Sequence, residues 1–508
     1  MSVPWLPKDE ARFGPVRRLI AGAARMVYRL AGPIVFRVAF ALLVAGVVGV
    51  VLLVWATGVV FGYMDGAIAG EFNAVATQTS FGGPMTLGEL EGALRADALS
   101  IGLRYPLWPF QFRLVRDVII LAGVLGFISL VAMFAIWGER KAAGHIQSRV
   151  GPMRVGGWHG WAQSPADGIK LILKEDLIPA EADRVLFRLA TYLAFVPVLA
   201  TFVALPFGAA WVFRDLDVAL LFILAMLGIE VVGVLIGGWA SRSKWGVYGA
   251  MREACQMVSY EIPMGMALLI PIMCAGSLKL SAIGSMQSEG WFSWLAFRNP
   301  FVFCALGAYY VASLASCKRS PFDLPEGESE LVGGFHTEYS GIRWALFFFA
   351  EYVGMFVVSA LAAILFLGAW HSPLPACWAA GLGDGLLARG LKGLLFSGPI
   401  WLILKGFFLI FVQIWLRWTL PRIRIDQVLY ACVQVLLPLC MVLLLGNTIW
   451  ELLANRYAGF ALFGTVVTVC LGVVGVVIAL AFLSVAAYGW LHRRRLVGTL
   501  AVDLLPGS

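Results

Sequence analysis

The sequence predicts an all-α membrane protein, a polytopic transmembrane helical bundle, and three observations support this. Of the 508 residues, 60% are hydrophobic and only 13% are charged, and the mean hydropathy is +0.85. A soluble domain carries roughly 25% charged residues. Apolar stretches of about 20 residues recur, which is enough for a helix to cross a hydrocarbon core of about 30 Å. These stretches are uninterrupted, whereas a transmembrane barrel needs short segments of alternating polarity.

Ten apolar stretches are predicted to span the membrane as helices. A cleavable signal peptide is the alternative for the first stretch, but it is too long for one and lacks a small-residue cleavage site, so we expect an uncleaved helix. The ten predicted spans are residues 34–61, 117–138, 188–212, 218–240, 259–281, 298–317, 344–369, 396–416, 427–450 and 460–491.

The distribution of Lys and Arg predicts the orientation of the bundle. These residues collect in alternate connections, such as 139–175 and 318–343, whereas residues 282–297 contain neither. Positively charged loops stay on the cytoplasmic side of a membrane. Both termini are basic and are therefore predicted to lie on the cytoplasmic side. The membrane that the bundle spans is predicted to be the inner membrane of a cell. The net charge of +8 reflects this topology and gives no indication of nucleic-acid binding.

The connection at 139–175 combines irregular backbone with a short amphipathic helix. Glycines and prolines crowd its first half, and Ala166–Lys174 is then predicted to be helical, with Ile169, Ile172 and Leu173 on one apolar face. Such a helix commonly lies on the membrane surface. The alternative is that it forms the side wall of a cavity that admits an amphiphile from the bilayer. The residues alone favour the surface helix.

The connection at 318–343 is unusually acidic for a cytoplasmic loop. Closely spaced carboxylates repel, so some should have a raised pKa unless Arg319 or Arg343 pairs with them. Two interpretations stay open, a cluster that holds and passes protons and an acidic docking face for a basic partner. The acidic residues are Asp323, Glu326, Glu328, Glu330 and Glu338.

Three carboxylates fall within or at the ends of predicted spans: Glu230, Glu261 and Glu351. An ionisable group in hydrocarbon costs several kcal/mol, so it normally faces a polar interior or a partner. We therefore expect Glu230 in particular to be functional. Lys405 is the intramembrane cation expected to pair with one of these acids.

Several strings of distinctive sequence follow one another in the chain. They are Glu139-Arg-Lys-x-x-Gly-x-x-Gln-x-Arg-x-Gly-Pro152, Ala166-Asp-Gly-Ile-Lys-Leu171, Gly238-Trp-Ala-Ser241, Ser259-Tyr-Glu261, Pro321-Phe-Asp-Leu-Pro-Glu-Gly-Glu-Ser-Glu-Leu331, Glu338-Tyr-Ser-Gly341 and Thr419-Leu-Pro-Arg-x-Arg-x-Asp-Gln427. Together they resemble one family, the H subunit of the type I NADH:quinone oxidoreductase, which is called subunit 1 in mitochondrial complex I. The match runs in order from about residue 117 to residue 450.

The resemblance implies three parts in the chain. Residues 117–450 would form an eight-span quinone-chamber core. Residues 1–116 would be an N-terminal extension with one extra transmembrane helix and a periplasmic segment. Residues 451–508 would be a C-terminal extension with another extra helix and a basic tail.

The resemblance also implies a function within an enzyme complex. The chain would belong to a proton-pumping NADH:quinone oxidoreductase, a translocase of the respiratory chain. It would form the membrane part of the quinone chamber and couple quinone reduction to proton translocation. Quinone would be its substrate. FMN and iron–sulfur clusters would lie on partner subunits of the hydrophilic arm, and this chain would bind no cofactor or metal. Other membrane subunits and lipid would be its further partners.

Two sets of site residues follow from the resemblance, with Glu230 added because of its place in a span. One set would line or brace the quinone chamber, and the other would relay protons and couple their movement to quinone reduction. The first set is Arg140, Arg149, Asp167, Lys170, Arg319, Phe322 and Asp323. The second is Glu230, Glu261, Glu326, Glu328, Glu330, Glu338 and Glu351.

The chain departs from the family pattern at two places. Many members read Ala-Glu-Thr-Asn-Arg where this chain has Ala315-Ser-Cys-Lys-Arg319, so a serine stands in place of the membrane glutamate. A hydroxyl cannot store a proton as a carboxylate does, and Glu230 is expected to substitute for it. The family's Gly-Trp-Lys is Cys432-Val-Gln434 here, which removes a cation.

Other functions predict other features. The equivalent subunit of a complex with a different electron donor, such as a reduced deazaflavin or ferredoxin, would have nearly the same sequence because the donor site lies on other subunits. A hydrogenase anchor is a further relative. A secondary transporter should show an inverted internal repeat, and none is found.

Overall fold

The computed structural model describes residues 113–156, 159–208, 211–374 and 398–491. The chain divides into two compact units, the first being Met1–Leu130 with Gly156–His159 and the second Val131–Val155 with Gly160–Ser508. In the first unit the described residues are mainly the beginning of helix α1. The helices, numbered as they follow one another, are α1 (Arg113–Ile146), α2 (Gln163–Leu173), α3 (Arg184–Ala204), α4 (Ala219–Ala240), α5 (Lys244–Ala275), α6 (Leu280–Ser285), α7 (Leu295–Arg298), α8 (Pro300–Ser316), α9 (Glu328–Leu331), α10 (Gly341–Phe366), α11 (Pro399–Thr419), α12 (Ile425–Leu429), α13 (Leu437–Arg456) and α14 (Ala458–Leu491).

The described helices confirm the prediction of an all-α membrane bundle. Among the described residues, eight segments are long and apolar enough to cross a membrane, and the shorter apolar helix α8 coincides with a further predicted span. They correspond to nine of the ten predicted spans. The tenth, residues 34–61, lies outside the described residues, as does nearly all of the predicted N-terminal extension 1–116. The segments are Leu121–Ile146, Arg184–Ala204, Ala219–Ala240, Lys244–Ala275, Gly341–Phe366, Pro399–Thr419, Ile425–Arg456 and Leu462–Ala481.

Helix α5 begins well before the predicted start of its span at residue 259. The prediction was wrong because Arg252, Glu253 and Gln256 make the first turns polar, which hides them from a hydropathy profile. In the fold these side chains have partners: Gln256 Nε2 donates to the backbone oxygen of Ala315 at 2.8 Å, and Glu253 lies near Lys318. Satisfied polar groups allow a helix to continue where the bundle interior replaces lipid.

Helix α10 lies at the centre of the second unit. It packs against α3, α8 and α11, and its residues from Phe347 onward are almost all buried. Close packing against α11 depends on Gly406, where an added Cβ would lie 3.1 Å from the ring of Phe356. Small residues at such positions allow membrane helices to approach each other closely.

The loops at one end of the bundle are anchored to α8 and α5. Helix α8 ends at Ser316, and Lys318 then takes a left-handed backbone conformation with φ of 52°.

At the other end of the bundle, the C-terminal helix α14 is attached to the segment before α8. There Trp291 Nε1 donates to the carbonyl of Gly472 at 3.1 Å, and Thr468 Oγ1 donates to that of Arg298, also at 3.1 Å.

Candidate functional site

A cavity of about 540 Å³ lies between helices α1, α10 and α11 and the loop that follows α1. Its volume falls within the range of small-molecule sites, roughly 300–1,000 Å³. Apolar and aromatic side chains form much of its wall, together with three arginines and one carboxylate. The lining residues are Ile136, Glu139, Arg140, Ala143, Arg149, Val150, Gly151, Pro152, Phe348, Tyr352, Arg417 and Trp418.

The predicted chamber residues of the first loop lie at or beside this cavity, with one exception. Arg140 and Arg149 line it, and Arg140 pairs with Asp167 on helix α2. Gln163 Nε2 holds the second oxygen of Asp167 at 3.0 Å. Lys170 is exposed and does not line the cavity. The structure therefore brings three of these four residues together.

Helix α2 confirms the predicted amphipathic segment and begins slightly earlier than expected. It packs against α10, while the apolar side chains of Ile169, Ile172 and Leu173 are 59%, 66% and 80% exposed. Because Asp167 on its polar face binds the cavity-lining Arg140, the helix is attached to the cavity wall. The attachment fits a side wall, and the exposed apolar face fits a helix on the membrane surface, so both interpretations stay open.

A buried ionic group, the Arg319 cluster, lies behind the cavity and consists of Glu139, Arg319, Glu351, Tyr352 and Arg417. Glu139 accepts hydrogen bonds from Arg417 Nη1 at 2.5 Å and from the Tyr352 hydroxyl at 2.6 Å. The guanidinium of Arg319 lies 4.3 Å from the centre of the Tyr352 ring. Its Nη1 is 3.4 Å from Glu139, and its Nε is 2.9 Å from Glu351 Oε1. Arg319 therefore connects a cavity-wall carboxylate to a carboxylate inside the bundle.

A second buried group, the Lys318 cluster, consists of Lys318, Glu230 and Glu253. The ammonium nitrogen of Lys318 lies 3.1 Å from Glu230 Oε1 and 3.5 Å from Glu253 Oε1. All three side chains are at most 12% exposed. Burial by itself would lower the pKa of Lys318, but the charges of Glu253 and Glu230 outweigh it and raise the pKa above its usual value.

The turn after helix α8 separates these two clusters. Lys318 has a positive φ and reaches Glu230 on α4 and Glu253 on α5, whereas the next residue, Arg319, reaches α1 and α10. A non-glycine residue in the left-handed region costs roughly 1–2 kcal/mol. The ion pairs of both side chains hold the backbone in this conformation.

The acidic loop does not form the single group of repelling carboxylates that its spacing suggested. Glu326 accepts a hydrogen bond from His336 Nε2 at 3.0 Å. Burial would raise the pKa of Glu326, but this bond and the nearby positive charges lower it overall. Glu330 binds Arg252 at 2.6 Å and Arg422 at 3.0 Å, and these bonds lower its pKa.

Neither arginine that was considered for this loop forms an ion pair with Glu326 or Glu330 in the described part of the structure. Arg319 binds Glu139 and Glu351 and acts on Glu326 through its charge, and Arg343 binds Asp176 at 2.7 Å. Sequence distance misleads here because the loop folds back on α5 and on the segment before α12. Of the other predicted loop residues, Phe322 is buried, and Asp323 and Glu338 are half-buried. The side chain of Glu328 lies outside the described part of the structure.

The remaining intramembrane acid, Glu261, is half-buried on α5, and its carboxylate lies against Gly228 of α4. The expected pairing of such an acid with Lys405 is wrong. Lys405 Nζ donates instead to the backbone oxygens of Leu367, Ala369 and His371 at 2.5, 3.0 and 2.7 Å. These oxygens follow the C-terminus of α10, where a cation is stabilised by the helix dipole.

Five residues of these clusters were not predicted as site residues from the sequence: Glu139, Glu253, Lys318, Tyr352 and Arg417. A signal for Glu253 exists, because Gly249, Glu253, Gln256 and Tyr260 recur at helical spacing and all face the interior of the bundle. Sequence spacing gives no such signal for Glu139, whose partners Arg319, Tyr352 and Arg417 are all distant along the chain.

Comparison with known proteins gives these clusters a family context. Residues 119–448 match the NADH dehydrogenase family. The chain belongs to that family. Its relatives include the H subunit of the NADH-quinone oxidoreductase from Chlorobaculum tepidum, 46% identical over 336 residues, which are 66% of this chain and 92% of the relative. The corresponding protein from Anaeromyxobacter dehalogenans is 41% identical over 376 residues, 72% of this chain and 89% of that protein.

A third such relative, from Geobacillus kaustophilus, is 44% identical over 324 residues, 64% of this chain and 89% of that protein. The chain is accordingly a membrane subunit of an NADH-quinone oxidoreductase, the respiratory complex I. In this family member the cavity and both ionic clusters lie within the matched residues.

Proposed function

We propose that this subunit forms the membrane part of the quinone-binding chamber and couples quinone reduction to proton translocation. The observation that carries the proposal is the double position of Glu139, which lines the 540 Å³ cavity and also belongs to the Arg319 cluster. A change of charge in the cavity can therefore act through Glu139 and its ion pair with Arg319 on Glu351 inside the bundle. The proposal also includes the two sets of residues predicted from the sequence, one that lines or braces the quinone chamber and one that relays protons.

The chemistry requires such a connection. A quinone takes up two electrons and two protons to become a quinol, and the electrons arrive from redox groups on partner subunits. The cationic side chains of Arg140, Arg149 and Arg417 at the cavity would stabilise negative charge that develops on the quinone head group. Their rearrangement would change the balance of charge at Glu139 and Arg319 and therefore at Glu351.

The electron path and the membrane setting complete the proposal. This chain would hold no redox centre, and FMN and iron–sulfur clusters would lie on the hydrophilic arm. NADH is the favoured source of electrons over a deazaflavin or ferredoxin, because the relatives bear the name NADH-quinone oxidoreductase. The subunit would lie in a cell inner membrane with both termini cytoplasmic. Residues 117–450 would form the core between extensions 1–116 and 451–508.

Inhibitor binding to the purified complex tests the chamber. Asp167→Asn and Arg149→Gln should each weaken binding of a quinone-site inhibitor about tenfold, since each removes a charge at or next to the cavity wall. Arg154→Gln is the matched control, because Arg154 is exposed on the same connection and does not line the cavity. Unchanged inhibitor affinity in both charge variants would refute the placement of the chamber.

A further inference from the structure

A serine at position 316 leaves this chain without the membrane carboxylate that its family resemblance leads one to expect. The residue two positions later is a lysine, and the structure places two carboxylates beside it, one of them on the unexpectedly long helix α5. We propose that Glu253, held by Lys318 and Glu230, is a proton-holding group that takes over the role of the missing carboxylate. This inference rests on the proposed function and adds a relay residue to it.

Glu253 is a carboxylate without the hydrogen bonds that a permanently ionised group needs. The side chain of Glu253 is fully buried, and neither of its carboxylate oxygens makes a hydrogen bond within the described part of the chain. The Lys318 ammonium lies 3.5 Å away, whereas a charge-assisted hydrogen bond is typically about 2.7–2.9 Å. Glu230 holds the ammonium more closely, at 3.1 Å. A buried carboxylate with so little stabilisation favours its neutral, protonated form.

The charges of the Lys318 cluster support the same conclusion. One ammonium faces two carboxylates, so the fully ionised cluster would carry one uncompensated negative charge in a site shielded from water. Two carboxylates that share a buried site repel each other when both are charged. One proton on the pair makes the cluster neutral. The cluster therefore has the stoichiometry of a store for a single proton.

The surroundings connect this store to position 316 and to the quinone side. The hydroxyl of Tyr260, one turn beyond Gln256 on α5, interacts with that of Ser316, and Tyr260 in turn lies within the field of Glu253 and Glu230. The serine therefore retains a hydroxyl contact next to the store. The charged groups that face the cluster from other elements are Glu326 of the acidic loop and, through Lys318, Glu351 of α10.

The step itself is a proton transfer in which no electron moves within this chain. When negative charge on the quinone side is neutralised, the O–H bond at Glu253 breaks and its proton passes to an acceptor farther along the relay. The carboxylate then remains next to the Lys318 ammonium until a new proton arrives from the cytoplasmic side and the O–H bond forms again. Lys318 stays charged throughout and limits how unfavourable the ionised state of Glu253 becomes.

Two measurements on the whole complex in its membrane test this store. The first is the ratio of protons pumped to electrons transferred, measured in sealed vesicles. Glu253→Gln should lower this ratio at least about tenfold. The second is the infrared difference spectrum between the oxidised and reduced complex. It should contain a band from a protonated carboxyl group in the original protein, and this band should be absent from Glu253→Gln.

The matched control is Glu451→Gln, which replaces another carboxylate of a membrane helix, one that lies 3.9 Å from Arg298 and away from both clusters. It should leave pumping and the carboxyl band unchanged. A variant with the family pattern, Ser316→Glu combined with Lys318→Asn, should restore pumping when added to Glu253→Gln, which a purely structural role would not do.

The outcomes separate this inference from the proposed function. Pumping by Glu253→Gln within twofold of the original protein would overturn the store while leaving the proposed function intact. A complex that reduces no quinone and pumps no protons even with the original sequence would overturn the proposed function itself. If Glu253→Gln does not assemble, Glu253→Asp decides, because it keeps a carboxyl group at a changed position. The carboxyl band should then shift in frequency, and an unchanged band would overturn the store.

Discussion

Arg417 Nη1 lies 2.5 Å from Glu139 Oε1, so a helix near the end of the matched region is bonded to the first described span. The pair lies at the cavity wall, and Glu139 is also bound by the Tyr352 hydroxyl. Glu139 is thus the shared anion of two arginines, Arg319 and Arg417. Because both guanidiniums depend on it, the shape of the cavity and the charge of the bundle interior are linked through one carboxylate.

Replacement of this carboxylate should destabilise the protein strongly. Among the described residues, Glu139→Gln leaves Glu351 as the one carboxylate in an ion pair with the buried guanidinium of Arg319. Removal of one partner from a buried ionic group costs about 3–5 kcal/mol. The melting temperature of the purified complex should therefore fall. Tyr352→Phe is the comparison, because it removes one neutral donor and should cost only about 1 kcal/mol. Equal melting temperatures for the two variants would contradict a central role for Glu139.

Glu326 should affect quinone reduction and proton pumping together. Its carboxylate accepts a hydrogen bond from His336 and lies in the field of Arg319 and Lys318, so it connects the acidic loop to both clusters. We expect Glu326→Gln to lower both activities about tenfold while the complex still assembles. Glu181→Gln, an exposed carboxylate elsewhere in the chain, is the control. Loss of assembly in Glu326→Gln would favour the docking-face interpretation of this loop.

The ion pairs of Glu330 should be lost only at acid pH. Arg252 and Arg422 lower the pKa of Glu330 below its ordinary value near 4.3. A lowered pKa in the folded state means that the stabilisation is present above the ordinary value and disappears as pH falls through the lowered one. The stability difference between the original protein and Glu330→Gln should therefore be constant from pH 8 to about pH 5 and vanish below it. Thermal unfolding at a series of pH values measures it, and a difference that vanishes already near neutral pH would contradict these ion pairs.

Filling the cavity should impair quinone turnover without breaking any ion pair. Val150 is 72% exposed and lines the cavity, so Val150→Trp can add an indole there at little cost to folding. We expect the KM for quinone to rise or kcat to fall by about tenfold, which is about 1.4 kcal/mol. Val155→Trp in the same loop is the control, since Val155 does not line the cavity. Equal kinetics for both tryptophan variants would exclude this cavity as the quinone site.

Local properties of the sequence were sufficient to predict most of the fold. Long apolar stretches predict spans because every backbone group in lipid must be bonded within its own helix. The amphipathic segment that became α2 was visible for a similar reason, since Ile169, Ile172 and Leu173 recur at helical spacing. The prediction was wrong at the start of α5, because hydropathy cannot distinguish a polar loop from a polar helix whose side chains have buried partners.

The amino-acid sequence was sufficient to assign the class of the protein, its approximate spans and, through long ordered motifs, its resemblance to a membrane subunit of complex I. It also revealed the serine at position 316. Which charges meet could not be predicted from the sequence. Glu139 and Arg417, Lys318 and Glu253, and Lys405 and the end of α10 are all distant along the chain. Their pairing depends on helix packing, because the energy of a buried charge is set by the partners within a few ångströms of it and not by its neighbours in sequence.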